Sequence, residues 1–155
     1  MNARYPMTLL YDAACPVCAL EMDHLRQRDG AGRLRFVDIA APGFDAVAWG
    51  ATCAALDAEL HAVCADGQVL IGVPALRAAY AAVGLGWVFA PSAWGPLSPL
   101  ADAGYRLFAR HRREISRAAA PLIHALRAWR ARRVSAQMAR CQAGACRPHE
   151  DGGLR

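Results

Sequence analysis

The chain has 155 residues, enough for one domain with a real core, and 55% of them are hydrophobic, which excludes a disordered chain. All eighteen basic residues are arginine and they are unevenly placed. Residues 1–102 hold six Arg against ten acids (−4), and residues 103–155 hold twelve Arg against three acids (+9), so an acidic domain with a basic helical C-terminal extension is expected.

Met1 to Pro6 contains a single Arg and the apolar run from Met7 to Tyr11 is too short for a signal core, so no secretory signal is expected. Pro74, Arg77, Gly84, Gly86 and Pro91 interrupt the longest apolar stretch, where a span needs roughly twenty apolar residues. A cytoplasmic location is therefore expected, and in that setting six cysteines point to redox or metal chemistry more than to stapling.

Met7 to Tyr11 reads as a strand, and Asp12-Ala-Ala as a turn into Cys15-Pro-Val-Cys18. Pro16 suits the first position of a helix, which places Cys18, Met22 and Leu25 at helical spacing and stops near Gly30. "RLRFVDI" alternates as a second strand, and Gly43 to Glu59 is a weaker helical region interrupted at Trp49-Gly50. Asp66-Gly67 between two apolar runs predicts a β-hairpin, and Pro74 opens a further helix closed by Gly84. This β-α-β-α-β-β-α order is that of a thioredoxin-like α/β fold. A Gly/Pro/Trp-rich connector then leads to two helical stretches, Leu100 to about Arg117 and Pro121 to about Arg140, and to an irregular tail. The expected division is a redox domain over 1–96, a basic helical extension over 97–140 and a cysteine-bearing tail over 141–155.

A C-x-x-C serves redox exchange or metal binding, and its place at a strand-to-helix junction favours exchange. Cysteine attacks as its thiolate, and the unpaired N–H groups and dipole at a helix N-terminus stabilise that form. Cys15 is thus expected to be the attacking thiol. Cys18, one turn further in and less exposed, is expected to resolve the mixed disulfide. Asp12 has two readings, a carboxylate that tunes or deprotonates Cys18, or a turn residue capping nearby N–H groups. His61 falls near the motif in the third strand, either assisting proton transfer or simply solvated. Cys53 and Cys64 read as structural thiols. Cys141 and Cys146 have three readings: zinc ligands with Cys15 and Cys18, a second dithiol relaying electrons, or idle thiols in a tail.

"DAACPVC" after an apolar strand, "LRFVDI", "HAVCADGQVLIG" and "YRLFARHR" in that order resemble the DCC family of thiol-disulfide oxidoreductases over most of residues 7–113. The "CQAGAC" ending is similar to cysteine-bearing tails of that family. The resemblance implies a thioredoxin-like fold and thiol-disulfide exchange. The chain departs from it in having Ala13 where the family often has glycine. It also lacks the proline that thioredoxins place at the start of the third strand, here Leu60-His61.

The sequence thus predicts an oxidoreductase with Cys15, Cys18 and Asp12 as its site, using no organic cofactor and no metal, and with protein or small-molecule thiols and disulfides as partners. A zinc-binding module with Cys15, Cys18, Cys141 and Cys146 as ligands, or a redox-sensing binding protein, is the alternative. The arginine-rich C-terminal part lacks the accompaniments of a nucleic-acid module. Its apolar stripe of Leu122, Ile123, Leu126 and Trp129 suggests helices that contact the domain, a protein partner or a membrane surface.

Overall fold

The structure is a computed structural model that describes residues 5–142. Its core is a four-stranded sheet in the order β2-β1-β3-β4, built from β1 (Met7–Tyr11), β2 (Leu34–Asp38), β3 (His61–Val63) and β4 (Val69–Ile71). β1 and β2 run parallel, whereas β3 is antiparallel to both β1 and β4. The parallel pair requires a crossover, and α1 (Pro16–Arg28) supplies it. The antiparallel pair needs only the Asp66-Gly67 turn, where Gly67 takes φ +82°, a conformation glycine adopts at no steric cost.

Alternation along the strands sorts side chains to two faces. Met7, Leu9, Leu34, Ala62, Cys64 and Leu70 pack with Met22 and Leu25 of α1 and Ala75 and Ala79 of α3 (Val73–Ala82). Leu10 points the other way, onto Ala46 and Leu56, with Val37, Phe44 and Trp49 around them. That second layer is the expected weak helical region. It folds as a single 3-10 turn at Val47–Trp49, ended by Gly50 at φ +67°, and then α2 (Cys53–Ala58), capped by Thr52 Oγ1 accepting from Ala55 N–H. The result is a mixed α/β domain.

The connector after α3 contains a short helix α4 (Gly86–Phe89) and a 3-10 turn at Ala90–Ala93. The last element differs from expectation. Instead of two helical stretches there is one helix, α5 (Ser98–Gln142), with Pro121 inside it. Proline removes one helical hydrogen bond and crowds the preceding turn, but the strong helix formers Ala118, Ala119 and Ala120 before it carry the pattern through. The chain nonetheless divides into two compact units at this point, Met1–Ala120 and Pro121–Arg155. In the second unit, Leu122, Leu126 and Trp129 are exposed and only Ile123 of the expected stripe is buried.

Within the first unit, α5 is tied to the sheet. Tyr105 Oη accepts the Leu60 N–H at 2.8 Å, at the start of β3 where thioredoxins carry proline. Gly72, at φ +66°, lies beneath the same ring, and a Cβ there would stand 3.2 Å from Tyr105 and 2.6 Å from the Glu59 carboxylate. Among the described residues no helix is long and apolar enough to cross a membrane.

Candidate active site

Two carboxylates shape the turn between β1 and α1. Asp12 Oδ1 accepts the Ala14 N–H at 2.9 Å, and Asp38 Oδ1, at the end of β2, accepts the Ala13 N–H at 3.0 Å. No described residue other than glycine has a positive φ, so Ala13 sits in the turn without backbone strain. The turn delivers Cys15 to the N-cap of α1 with Pro16 next in the helix. The capping atom is usually a Ser, Thr, Asp or Asn oxygen. Here it is sulfur: Cys15 Sγ accepts the Cys18 N–H at 3.4 Å.

The Cys18 thiol donates to the same sulfur across 2.6 Å. This bond is the largest influence lowering the Cys15 pKa, from 9.0 to about 5. Burial opposes it, while the Ser116 hydroxyl, the Cys18 N–H and the Arg112 charge add to it. The same bond, followed by burial and the negative charge of Cys15, drives the Cys18 pKa far upward, with Asp12 raising it further and Arg112 opposing. The opposed shifts favour a thiolate at Cys15 with the Cys18 thiol as its donor.

Helix α5 closes over this pair. Ser116 Oγ lies 3.2 Å from Cys15 Sγ, and Ser116 is 2% exposed. Arg112, one helical turn earlier and 8% exposed, bonds Asp57 Oδ1 at 2.6 Å and lies 3.8 Å from Asp12 Oδ2. As a consequence Cys15 is only 3% exposed, and Cys18 is the more exposed of the two. The sequence expectation had this order reversed, because the covering atoms come from a helix about a hundred residues away.

A cleft of about 800 Å³ reaches Cys15, walled by Ile39, Phe44 and Leu56 and edged by Asp57, Arg113 and Arg117. On the other side, Cys18 borders a smaller, mainly apolar cavity of about 250 Å³ among Leu60, Tyr80, Tyr105 and Phe108. Each sulfur thus faces its own space.

Asp12 lies in the turn that precedes Cys15. It caps the turn, and its nearly buried carboxylate borders the Cys18 cavity beside Arg112. His61 is buried, contacts the Glu59 carbonyl at 3.0 Å through Nδ1 and lines neither space. Cys64 belongs to the core as expected, but Cys53 does not: it is exposed at the start of α2, on the wall of the Cys15 cleft. The Cys141 side chain and Cys146 lie outside the described residues. Among the described residues there is no group of three or more His, Cys, Asp or Glu placed to hold a metal.

Sequence reasoning missed Ser116 and Arg112. The signal was present: Tyr105, Ala109, Arg112 and Ser116 follow a 4-3-4 spacing along one helical face. In composition, however, that face is lost among the surrounding arginines.

The chain matches the family description of DCC1-like thiol-disulfide oxidoreductases over residues 9–118. An uncharacterized chloroplastic protein of Arabidopsis thaliana is 33% identical over 114 residues, covering 72% of this chain and 53% of the plant protein. The chain therefore spans about half the length of the curated relative it matches. No solved structure matches.

Proposed function

The chain belongs to the DCC1-like thiol-disulfide oxidoreductase family, and on that premise we propose that it exchanges electrons between the Cys15–Cys18 dithiol and protein or small-molecule disulfides. The observation that carries the reading is the asymmetry of the two sulfurs. They lie 2.6 Å apart, and their contact pushes the Cys15 pKa down and the Cys18 pKa up. A thioredoxin-like arrangement is supported by the β1-α1-β2-α2-β3-β4-α3 order and by the dithiol at the β1–α1 junction.

The Cys15 thiolate attacks one sulfur of the substrate disulfide, forms a Cys15 mixed disulfide and expels the other half as a thiolate, which takes a proton from solvent. That step consumes the negative charge that held Cys18 protonated, so the largest cause of its raised pKa is removed. Cys18 then loses its proton and attacks Cys15 Sγ. The Cys15–Cys18 disulfide forms and the second half of the substrate leaves as a thiolate. Two electrons have passed to the substrate, and an external dithiol running the same steps in reverse restores the starting state.

Cys15 lies at the floor of a cleft, so the substrate sulfur has to enter it, which favours small disulfides and extended segments over disulfides flat on a folded surface. We place the reaction in the cytoplasm, where glutathione and thioredoxin systems supply thiols. The deciding experiment is turnover with a small disulfide. Cys15→Ser abolishes it and Cys18→Ser accumulates a mixed disulfide at Cys15. Unchanged turnover in Cys15→Ser would sink the proposal.

A further inference from the structure

Helix α5 buries a polar seam where an apolar one is expected. Tyr105, Ala109, Arg112 and Ser116 share one face; Ala109, Arg112 and Ser116 are buried, and Arg112 and Ser116 lie at the dithiol. Burying a guanidinium is costly unless opposite charge and hydrogen bonds compensate. Arg112 is only partly compensated by protein carboxylates. Its close partner Asp57 is shared with Arg113, at 2.8 and 3.0 Å, and Asp12 stands off at 3.8 Å.

The charges facing the pair differ on its two sides. The Cys15 cleft is lined by Arg113 and Arg117 against Asp12 and Asp57, a balanced set, and the nearby charge of Arg112 favours ionisation of the thiol. Around the Cys18 cavity are Asp12, Glu21 and Glu59 against Arg112 alone, a negative excess that opposes ionisation there. The structure therefore polarises the two sulfurs from outside as well as through their mutual hydrogen bond.

We propose that α5 sets the redox poise of the dithiol, with Ser116 donating its hydroxyl hydrogen to the Cys15 thiolate and Arg112 acting as a positioning residue that supplies the balancing charge. The proposal rests on the exchange reading above, since a poise matters only to a dithiol that cycles. Stabilising the thiolate favours the reduced form and so makes the couple a stronger oxidant. A hydrogen bond to an ionised group shifts its pKa by about one unit or more.

The test uses the full chain and two readouts that need no turnover: the pH dependence of Cys15 alkylation by iodoacetamide, mapped by peptide mass spectrometry, and the dithiol–disulfide equilibrium in a dithiothreitol redox buffer. Ser116→Ala is expected to raise the alkylation midpoint by about one unit. It should also shift the equilibrium toward the disulfide by roughly tenfold, which is ~30 mV for this two-electron couple. Arg112→Gln shifts both in the same direction, Ser116→Thr restores them, and Arg110→Gln, an exposed charge on the same helix, leaves them unchanged. Midpoint and equilibrium in Ser116→Ala indistinguishable from the unaltered protein overturn the proposal, as do equal shifts from Arg110→Gln. If Arg112→Gln does not fold, the Ser116 pair decides alone. Activity persisting in Cys15→Ser would instead remove the exchange reading and leave the alkylation result standing.

Discussion

Ser116 Oγ and Cys15 Sγ meet at 3.2 Å although 101 positions separate them in the chain. The reactivity of the thiol therefore depends on its own helix and on how a distant helix docks. The N-terminus of α1 supplies the Cys18 N–H and the Cys18 thiol, and α5 supplies a hydroxyl and a positive charge.

The pH profile of mixed-disulfide formation follows from the Cys15 pKa near 5. The thiolate is the deprotonated form, so its population is nearly complete at pH 7 and falls tenfold per unit below the midpoint. Stopped-flow measurement with a neutral small disulfide is expected to show a rate flat from about pH 6.5 to 8 that declines through pH 5. A rate still climbing between pH 7 and 9 would mean that an ordinary thiol is attacking.

Substitutions at Cys18 separate its two tasks. Cys18→Ser cannot resolve a mixed disulfide but keeps an O–H to donate, so Cys15 retains a low pKa. Cys18→Ala loses resolution and donor together, and the Cys15 alkylation midpoint should rise by about one to two units relative to Cys18→Ser. Equal midpoints in the two variants would show that the thiol donor does not hold the thiolate.

Thiol labelling should depend on reagent size. Cys53 is exposed and Cys15 is 3% exposed at the floor of its cleft. In reduced protein at pH 7, a polyethylene-glycol maleimide should modify Cys53 before Cys15, whereas iodoacetamide should reach Cys15 despite its burial because that sulfur is ionised. Peptide mapping after short exposures reads the order directly, and bulky labelling of Cys15 first would contradict the closed cover.

Anchoring of α5 can be probed away from the sulfurs. Tyr105→Phe leaves the Leu60 N–H without its acceptor and should destabilise the fold by about 1–2 kcal/mol in urea unfolding. Gly72→Ala combines a positive φ with a Cβ 3.2 Å from the Tyr105 ring, so it should cost more than the ~1 kcal/mol of φ strain alone. Because Tyr105 holds the same helix as Ser116, a Tyr105→Phe protein that remains folded should also show faster labelling of Cys15 by bulky reagents.

Much of the domain was legible because its signals are local. Pro16 directly after Cys15 marks the start of α1, and the alternation of Leu34 and Phe36 marks β2. Asp66-Gly67 marks the hairpin because glycine there takes the positive φ that the turn requires. The long helix was misread at Pro121, where a strong local breaker signal was overruled by the helix formers around it. Cys53 was misread because a small apolar thiol on a short helix carries no periodic signal to say which way it faces.

Local sequence is enough to put a thiol pair at a strand-to-helix junction, because a strand, a turn and a proline-led helix are all encoded within a few residues of Cys15 and Cys18. That local placement is enough to make Cys15 the helix cap. Which sulfur is covered, what charge surrounds each and what hydroxyl reaches Cys15 depend on how distant segments pack. Those contacts join β1–α1 to residues of α2 and α5. A hydrogen bond or an ion pair acts over a few ångströms, so it is set by which helices dock together in space, and spacing along the chain carries almost no trace of it.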